Sequence, residues 1–448
     1  MIWITTMQEA LNRCFAACVL TLLASQAAAE LQIEITQGAG KRAPVAVVPF
    51  GWEGNDVSAP LNVAGVIGAD LQRSGRFGPI PEEDMLQKPT VGVDVDFDDW
   101  SILGVEAVIV GRVTQTGANA YSVQFQLFDV FRREQLVGYR MPASRGTMRR
   151  VAHRAADMIF EKLTGIQGVF ATKIAYVTAQ QESLNRTYTL VVSDADGENE
   201  HTIMESTDPI MSPAWSPDGR RLAYVSFEGH KSTVFVQTVR TGNRIKVSSR
   251  TGINGAPAFS PDGRNLVLTL GGADGNLDIH VMDLSTRDVT RLTTSRAIDT
   301  EGSWSPDGKQ IYFTSDRSGG PQVYRIDASG GAPERITFEG SYNARPRLSP
   351  DGSKLAMVHL DRGNYRIGVL DLDSGDFLVL STGRQDESPS FAPNSDTLIY
   401  ATRQGQNGVL ETVSADGLIR NILFWLISAV LLMVFRMLGN ALASNIDL

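Results

Sequence analysis

Cysteine is almost missing from this chain: there are two in 448 residues, Cys14 and Cys18, both near the N-terminus. No disulfide framework can therefore hold the fold together. An excess of basic charge is missing too. Lys and Arg number 41 against 50 Asp and Glu, a formal net charge of −9, which excludes the broad cationic face that nucleic-acid phosphates or anionic lipid would require. Histidine is scarce. His153, His201, His230, His280 and His359 show no His-x-x-x-His or His-x-x-Glu-His spacing, so each reads as a surface or loop residue and no metal site is expected. There is no Gly-x-Ser-x-Gly elbow for a nucleophile. Gly38 to Ala43 fits the letters of a dinucleotide fingerprint, but it precedes a strand instead of following one into a helix. Gly302 to Lys309 imitates a phosphate loop, yet five residues separate its glycines and Gln310 stands where Ser or Thr is needed. The expectation is no enzyme, no cofactor, no nucleic acid and no small-molecule substrate.

Long hydrophobic runs are limited to the two ends. Arg13 precedes an apolar stretch from Cys14 to Ala24, and Ala27, Ala28 and Ala29 form a small-residue cleavage site before Glu30. Charged flank, short apolar core and Ala-x-Ala read as a secretory signal peptide over residues 1–29. Phe15-Ala16-Ala17-Cys18 has some likeness to a lipoprotein acylation site, but the apolar core continues past Cys18. The mature chain is then cysteine-free and exported. At the other end, Ile422 to Phe435 is predominantly apolar and is followed by Arg436. As a helix it spans ~21 Å, short of a ~30 Å hydrocarbon core. Residues 419–448 are accordingly set apart as an atypical apolar tail and a possible membrane segment.

Between the ends lies a repeat. Ser-Pro-Asp-Gly begins at Ser216, Ser260, Ser305 and Ser349, with a degenerate Ala392-Pro393-Asn394-Ser395 after them, in steps of 44, 45, 44 and 43 residues. Each is preceded by Trp215, Phe259, Trp304, Leu348 or Phe391 and followed by a short apolar strand such as Leu222-Ala223-Tyr224-Val225. A sixth such strand, Ile174-Ala175-Tyr176-Val177, stands one period upstream. Pro pre-sets φ for the first turn position, Asp tolerates the next, and Gly supplies positive φ, so each motif is a hairpin turn. Four strands per ~44 residues predict a propeller blade, with the large residue before Ser-Pro wedged between neighbours. The prediction for residues 169–418 is a six-bladed β-propeller.

Residues 30–168 do not share the period. Pro44 to Phe50 reads as a strand, Leu61 to Ser74 as a helix burying Val63, Val66, Ile67 and Leu71, and Val105–Val113 with Tyr121–Phe128 as a hairpin pair. Met148 to Leu163 is an amphipathic helix with Val151, Ala155, Ile159 and Leu163 on one side, and Asp94 to Asp99 reads as a solvated loop. The fold class is therefore two-domain, a small N-terminal α/β domain followed by the propeller.

The leader, the α/β domain, the Leu163-Thr164-Gly165-Ile166 junction and the repeated Trp/Phe-Ser-Pro-Asp-Gly units together resemble the TolB family, periplasmic propeller components of bacterial Tol-Pal systems. Val47-Val48-Pro49-Phe50, Met211-Ser212-Pro213-Ala214-Trp215, Asn254-Gly255-Ala256-Pro257-Ala258-Phe259, Phe313-Thr314-Ser315-Asp316 and Pro321-Gln322-Val323-Tyr324 carry the resemblance. It implies a non-enzymatic scaffold linking TolA to the peptidoglycan-associated lipoprotein Pal, alongside TolQ and TolR, in outer-membrane integrity and constriction at division. It implies that Pal binds one mouth of the channel, at Met211, Ser212, Asn254, Ala256, Thr300, Glu301 and Glu387, with Ile253 replacing a polar family contact. It implies that residues 30–37 pair with TolA as an added strand, through Glu30, Leu31, Ile33 and Ile35, whose apolar members alternate with polar ones. Glu301 is expected on a loop, with Gly302 leaving room for a partner's backbone. An exported hydrolase or a carbohydrate-binding propeller is the alternative, the latter disfavoured by mouth loops poor in aromatics.

The C-terminus departs from the resemblance. Family chains close the ring with one more Pro-Ala-Trp-Ser-Pro-like strand, whereas Ile422 to Phe435 distantly looks like the first membrane helix of FtsH-type proteases. The unit starting at Ile174 is therefore expected to lack its inner strand.

Overall fold

The computed structural model describes residues 42–182, 185–272, 275–405, 407–425 and 429–436. The predicted leader, the segment 30–37 and the end of the tail lie outside the described residues.

The N-terminal domain starts with β1 (Ala43–Val47), β2 (Gly51–Glu53), α1 (Val63–Arg73) and β3 (Phe77–Pro79). It continues through α2 (Phe97–Ile102), β4 (Ala107–Gly117), β5 (Ala120–Asp129), β6 (Glu134–Ala143) and α3 (Met148–Thr164). Sheet order is β3-β1-β4-β5-β6, with β2 also paired to β4. β1 runs parallel to both β3 and β4, and β4, β5 and β6 form an antiparallel meander. A parallel pair needs a crossover, which α1 supplies between β1 and β3. Helices α1 and α3 cover one face of the sheet, burying Val63, Val66, Ile67, Leu71, Val151, Ala155, Ile159 and Leu163 as their spacing predicts. Trp100 on α2 fills the opposite face against Val105, Val108 and Val110. The acidic stretch is therefore not a plain loop: Asp96 caps α2, its carboxylate accepting from the Asp98 amide at 3.0 Å.

The propeller consists of six four-stranded sheets. In each Ser-Pro-Asp-Gly turn the Ser hydroxyl donates to the Asp carboxylate, at 2.6 Å for Ser216–Asp218, Ser260–Asp262 and Ser305–Asp307 and at 2.5 Å for Ser349–Asp351. The same hydroxyl accepts from an amide five residues on, at 2.9 Å from Arg221, Asn265, Gln310 and Lys354. The motif thus locks its own turn. In the degenerate copy Ser395 takes the left-handed place of the glycine, with φ 58°. The residue before each turn wedges between blades as expected: Phe259 against Ala214 and Val225, Phe391 against Ala356 and Ile367, and Trp304 against Val267 and Ile279.

Ring closure departs from the sequence expectation. The first blade does have an inner strand, and the apolar tail provides it. Arg420–Trp425 forms the outer strand of the sixth blade, and Ala429–Arg436 pairs antiparallel with Lys173–Glu182 of the first. That strand stands between the inner strands of the second and sixth blades. Its apolar run reads as a membrane helix only while its pairing is unknown, because periodicity alone does not separate a short apolar strand from a helix. Among the described residues no helix is long and apolar enough to cross a membrane.

Candidate functional site

One end of the channel is ringed by the starts of the inner strands. Four of them start at a buried polar anchor: Asn254, Asp299 and Asn343 as the first residue of the strand and Asp386 just before it are each 0% exposed. Asn254 accepts from the Ser248 hydroxyl (2.6 Å) and the Arg250 amide (2.9 Å), and donates to the Arg250 and Gly252 carbonyls. Asp299 receives both its oxygens' partners from Arg317, at 2.9 and 2.8 Å. Asn343 donates to Gln322 and stands 2.8 Å from His359 Nδ1. Asn254 and Asn343 tie their strand to the preceding blade, and Asp299 ties its strand to its own. The Asn254 side chain is consequently spent inside the protein and does not face a partner, contrary to its expected role.

Two residues further on, every one of these strands, and the equivalent strand of blade two, adopts a left-handed backbone: Ser212 (φ 50°), Ala256 (45°), Glu301 (59°), Arg345 (57°) and Ser388 (56°). A register break follows each, between Met211 and Ala214, Gly255 and Ala258, Thr300 and Ser303, Ala344 and Arg347, and Glu387 and Ser390. Residues with a Cβ adopt this conformation only at a cost of order 1 kcal/mol, and bulges of this kind re-aim a side chain. Five repetitions around one mouth turn that cost into a built collar. The fold compensates in part: the Glu301 amide donates to Thr269 Oγ1 (3.1 Å) and the Arg345 amide to Thr314 Oγ1 (3.0 Å), each on the preceding blade.

Glu301 thus sits within a strand, not on a loop. Its Oε1 accepts from Arg345 Nε at 2.7 Å, and Arg345 Nη1 donates to Ser388 Oγ at 2.9 Å and lies 3.6 Å from Glu387. The network spans three blades. Burial opposes charge on Arg345, but Glu301 and Glu387 hold its proton more tightly than in a free guanidinium. Gly302 does not make room for a partner as expected: a Cβ there would come within 2.7 Å of Val267 on the neighbouring blade, so glycine serves inter-blade packing. Thr300 shares its hydroxyl with Thr269 at 3.3 Å. Met211, Ser212 and Ala256 are half-buried at the collar and Glu387 is exposed. The rim is apolar where the sequence looked plain. Ile253 and Ile298 are 46% and 48% exposed, and at the same repeat position Tyr342 packs edge-on to Tyr365, 5.2 Å between centroids. The mouth therefore does carry aromatics.

A second charged cluster joins the two domains. His153 on α3, 1% exposed, places Nδ1 2.7 Å from Asp70 on α1 and Nε2 3.5 Å from Asp196 on the first blade. Sequence reasoning placed this histidine at the surface; a single buried polar residue on an amphipathic face has no distinguishing local signal. Arg73 pairs with Asp70, and Arg149 with Asp196. The three ligand-type side chains Asp70, His153 and Asp196 lie close enough to hold an ion, but the two guanidiniums already match the carboxylates. Burial opposes charge on His153, yet the Asp70 bond and the Asp70 and Asp196 charges raise its proton affinity. Asp157 is pushed by burial up to about 7, against the lowering effect of the Phe170 and Ala171 amides that bond it. A small cleft of about 80 Å³ opens beside this cluster, between Phe160, Phe170, Val413 and Ile419.

What the geometry defines is a two-domain propeller protein whose channel mouth has a charged centre and an apolar rim. Residues 160–426 match the family model described as the TolB beta propeller domain, and residues 31–136 that described as the TolB amino-terminal domain. The crystal structure of TolB from Acinetobacter baumannii superposes with a TM-score of 0.81 at 39% identity, covering 90% of this chain and 99% of that one. The Tol-Pal system protein TolB of Nitrosococcus oceani is 52% identical over 229 residues, 51% of this chain and 52% of that protein. The Thioalkalivibrio sulfidiphilus protein of the same name is 50% identical over 233 residues, 52% of this chain and 54% of its own. The matched region thus spans about half the length of these curated relatives. The chain belongs to the TolB family of Tol-Pal system proteins, a family of non-enzymatic components.

Proposed function

We propose that this chain is a periplasmic adaptor of a Tol-Pal system, exported by residues 1–29, that binds Pal at the channel mouth and TolA through residues 30–37. TolQ and TolR complete the assembly, and its role is outer-membrane integrity and invagination during division. The observation that supports the mouth as the Pal surface is the collar of five left-handed residues around the Glu301–Arg345–Glu387 network. Strain held at a solvent-facing ring suits a pre-shaped binding surface. The exposed rim of Ile253, Ile298 and Tyr365 supplies apolar anchors, and Glu387 a carboxylate for charge-assisted bonds.

Titration calorimetry of the mature chain with Pal tests this. Ile298→Asp and Glu387→Lys should each weaken Pal binding at least tenfold, with an unchanged melting temperature for Ile298→Asp, whose side chain is exposed, and a lower one for Glu387→Lys, which sets a second cation 3.6 Å from Arg345. Normal affinity in both variants would exclude the mouth. Ile33→Asp should abolish TolA binding and leave Pal binding intact or stronger; unchanged TolA affinity on deleting residues 30–37 would remove that assignment.

A further inference from the structure

Below the collar, the fifth residue of the repeat on the inner strands of blades two to six reads Ala214, Ala258, Ser303, Arg347 and Ser390, which pair in equivalent register with Ala223, Val267, Tyr312, Ala356 and Ile399. Four blades place a small side chain at this tier and one places an arginine. The small residues leave a cavity of about 250 Å³ around the Arg347 side chain, toward the face of the Ser-Pro turns.

Arg347 has little to balance it. Nη1 donates to the adjacent Pro346 carbonyl at 2.8 Å, and among the described residues no carboxylate lies within 4 Å of it. The nearest acid acting on it is Glu301, whose two oxygens already receive Arg345 at 2.7 Å and Thr314 at 3.5 Å. Burial, with Arg345 adding like-charge repulsion, pushes the Arg347 guanidinium below its usual range. A guanidinium nevertheless stays protonated in proteins, so the half-buried Arg347 presents a positive charge to this cavity. Ser303 and Ser390, 8% and 6% exposed, line the same cavity.

We infer that the channel holds a site for a small oxyanion, with the Arg347 guanidinium as its cation and Ser303 and Ser390 beside it. A carboxylate or phosphate fits because two oxygens can take the planar N–H fork together. The site lies two residues beyond Arg345 on the same inner strand and opens toward the Ser-Pro turns.

The test uses the full mature chain and inorganic phosphate or acetate at constant ionic strength, read by calorimetry. Wild type should bind saturably, Arg347→Gln should lose at least tenfold in affinity, and Arg264→Gln, on an exposed turn, should bind as wild type. Ser390→Asp supplies a built-in carboxylate; it should abolish phosphate binding. Phosphate binding that survives Arg347→Gln or Ser390→Asp, or wild type that never saturates with either anion, would overturn the site. Competition with Pal identifies the source: loss of Pal affinity on saturating phosphate assigns the site to a carboxylate carried by the partner, and unchanged affinity assigns it to a free ion.

Discussion

Removing residues 429–448 should open the ring, and the size of the effect follows from the ladder. Ala429–Arg436 makes seven register pairs with the first blade, from Ala429–Ala179 to Arg436–Lys173. Antiparallel pairs alternate between those that exchange two N–H···O bonds and those that exchange none. Seven pairs therefore give about seven bonds, and at ~1 kcal/mol net each the strand contributes ~7 kcal/mol. That is comparable to the whole stability of an ordinary domain, about 5–15 kcal/mol. The loss should concentrate on the first blade, whose strand Lys173–Glu182 becomes an edge, and on the inner strands of blades two and six that flank the gap. Hydrogen exchange read by mass spectrometry resolves this. In the full chain, the Tyr176 strand should exchange as slowly as the Tyr224 strand, since both tyrosines are 0% exposed. In the truncated chain, exchange at 173–179 should accelerate by up to ~10⁵, at one decade per 1.4 kcal/mol, and the melting temperature should drop. A synthetic peptide of residues 429–436 should restore protection. Full protection at Tyr176 after truncation would show that the tail strand does not close the ring.

Trp304→Ala should cost ~3–5 kcal/mol in a thermal or denaturant melt, because the indole fills the wedge beside Val267 and Ile279 and its Nε1 donates to the Ala258 carbonyl at 3.2 Å; a loss under 1 kcal/mol would refute the wedge. Glu301→Ala should weaken Pal binding by ~2 kcal/mol or more and also lower stability by ~1 kcal/mol, since it strips Arg345 of its 2.7 Å partner. A double-mutant cycle with Arg345→Ala should recover the coupling, and full additivity would contradict the pair. The domain junction should respond to pH. Asp157 rises from 3.8 to about 7 on folding, so the fold takes up a proton as pH falls, and the cost of ionising this buried carboxyl grows between those two values. His153 is raised above 6.5, so its stabilisation is present below that value and lost as pH rises through its folded value. Both act in one direction: melting temperature should fall from pH 6 to pH 8, and Asp157→Asn should remove much of the slope. An unchanged slope in that variant would refute the assignment.

The repeat was readable in the sequence because its turn chemistry is local. Ser216, Asp218 and Gly219 bond and bend within six residues, so the Ser-Pro-Asp-Gly spacing alone reports blade number and the wedge positions Trp215, Phe259 and Trp304. The helices α1 and α3 were readable for the same reason, through apolar spacing that any one-sided helix must show. Other features depend on residues far apart in the chain. Whether Ile422–Phe435 is a membrane helix or a pair of blade strands turns on the empty edge of Lys173–Glu182, some 250 residues upstream. Glu301 is legible as a polar residue just ahead of Gly302, yet its left-handed φ and its tie to Arg345 arise from the bulge and the next blade. Asn254 looked like a contact residue because polarity is visible in a sequence, whereas burial is not. His153 and Arg347 have the same explanation in reverse: nothing in their neighbourhoods along the chain marks them. Their character comes from Asp70 and Asp196 across a domain junction, and from a channel that exists only when six sheets close around it. Local bonding therefore determined the units, and tertiary packing, which decides what each charge faces and whether water reaches it, determined what the units can bind.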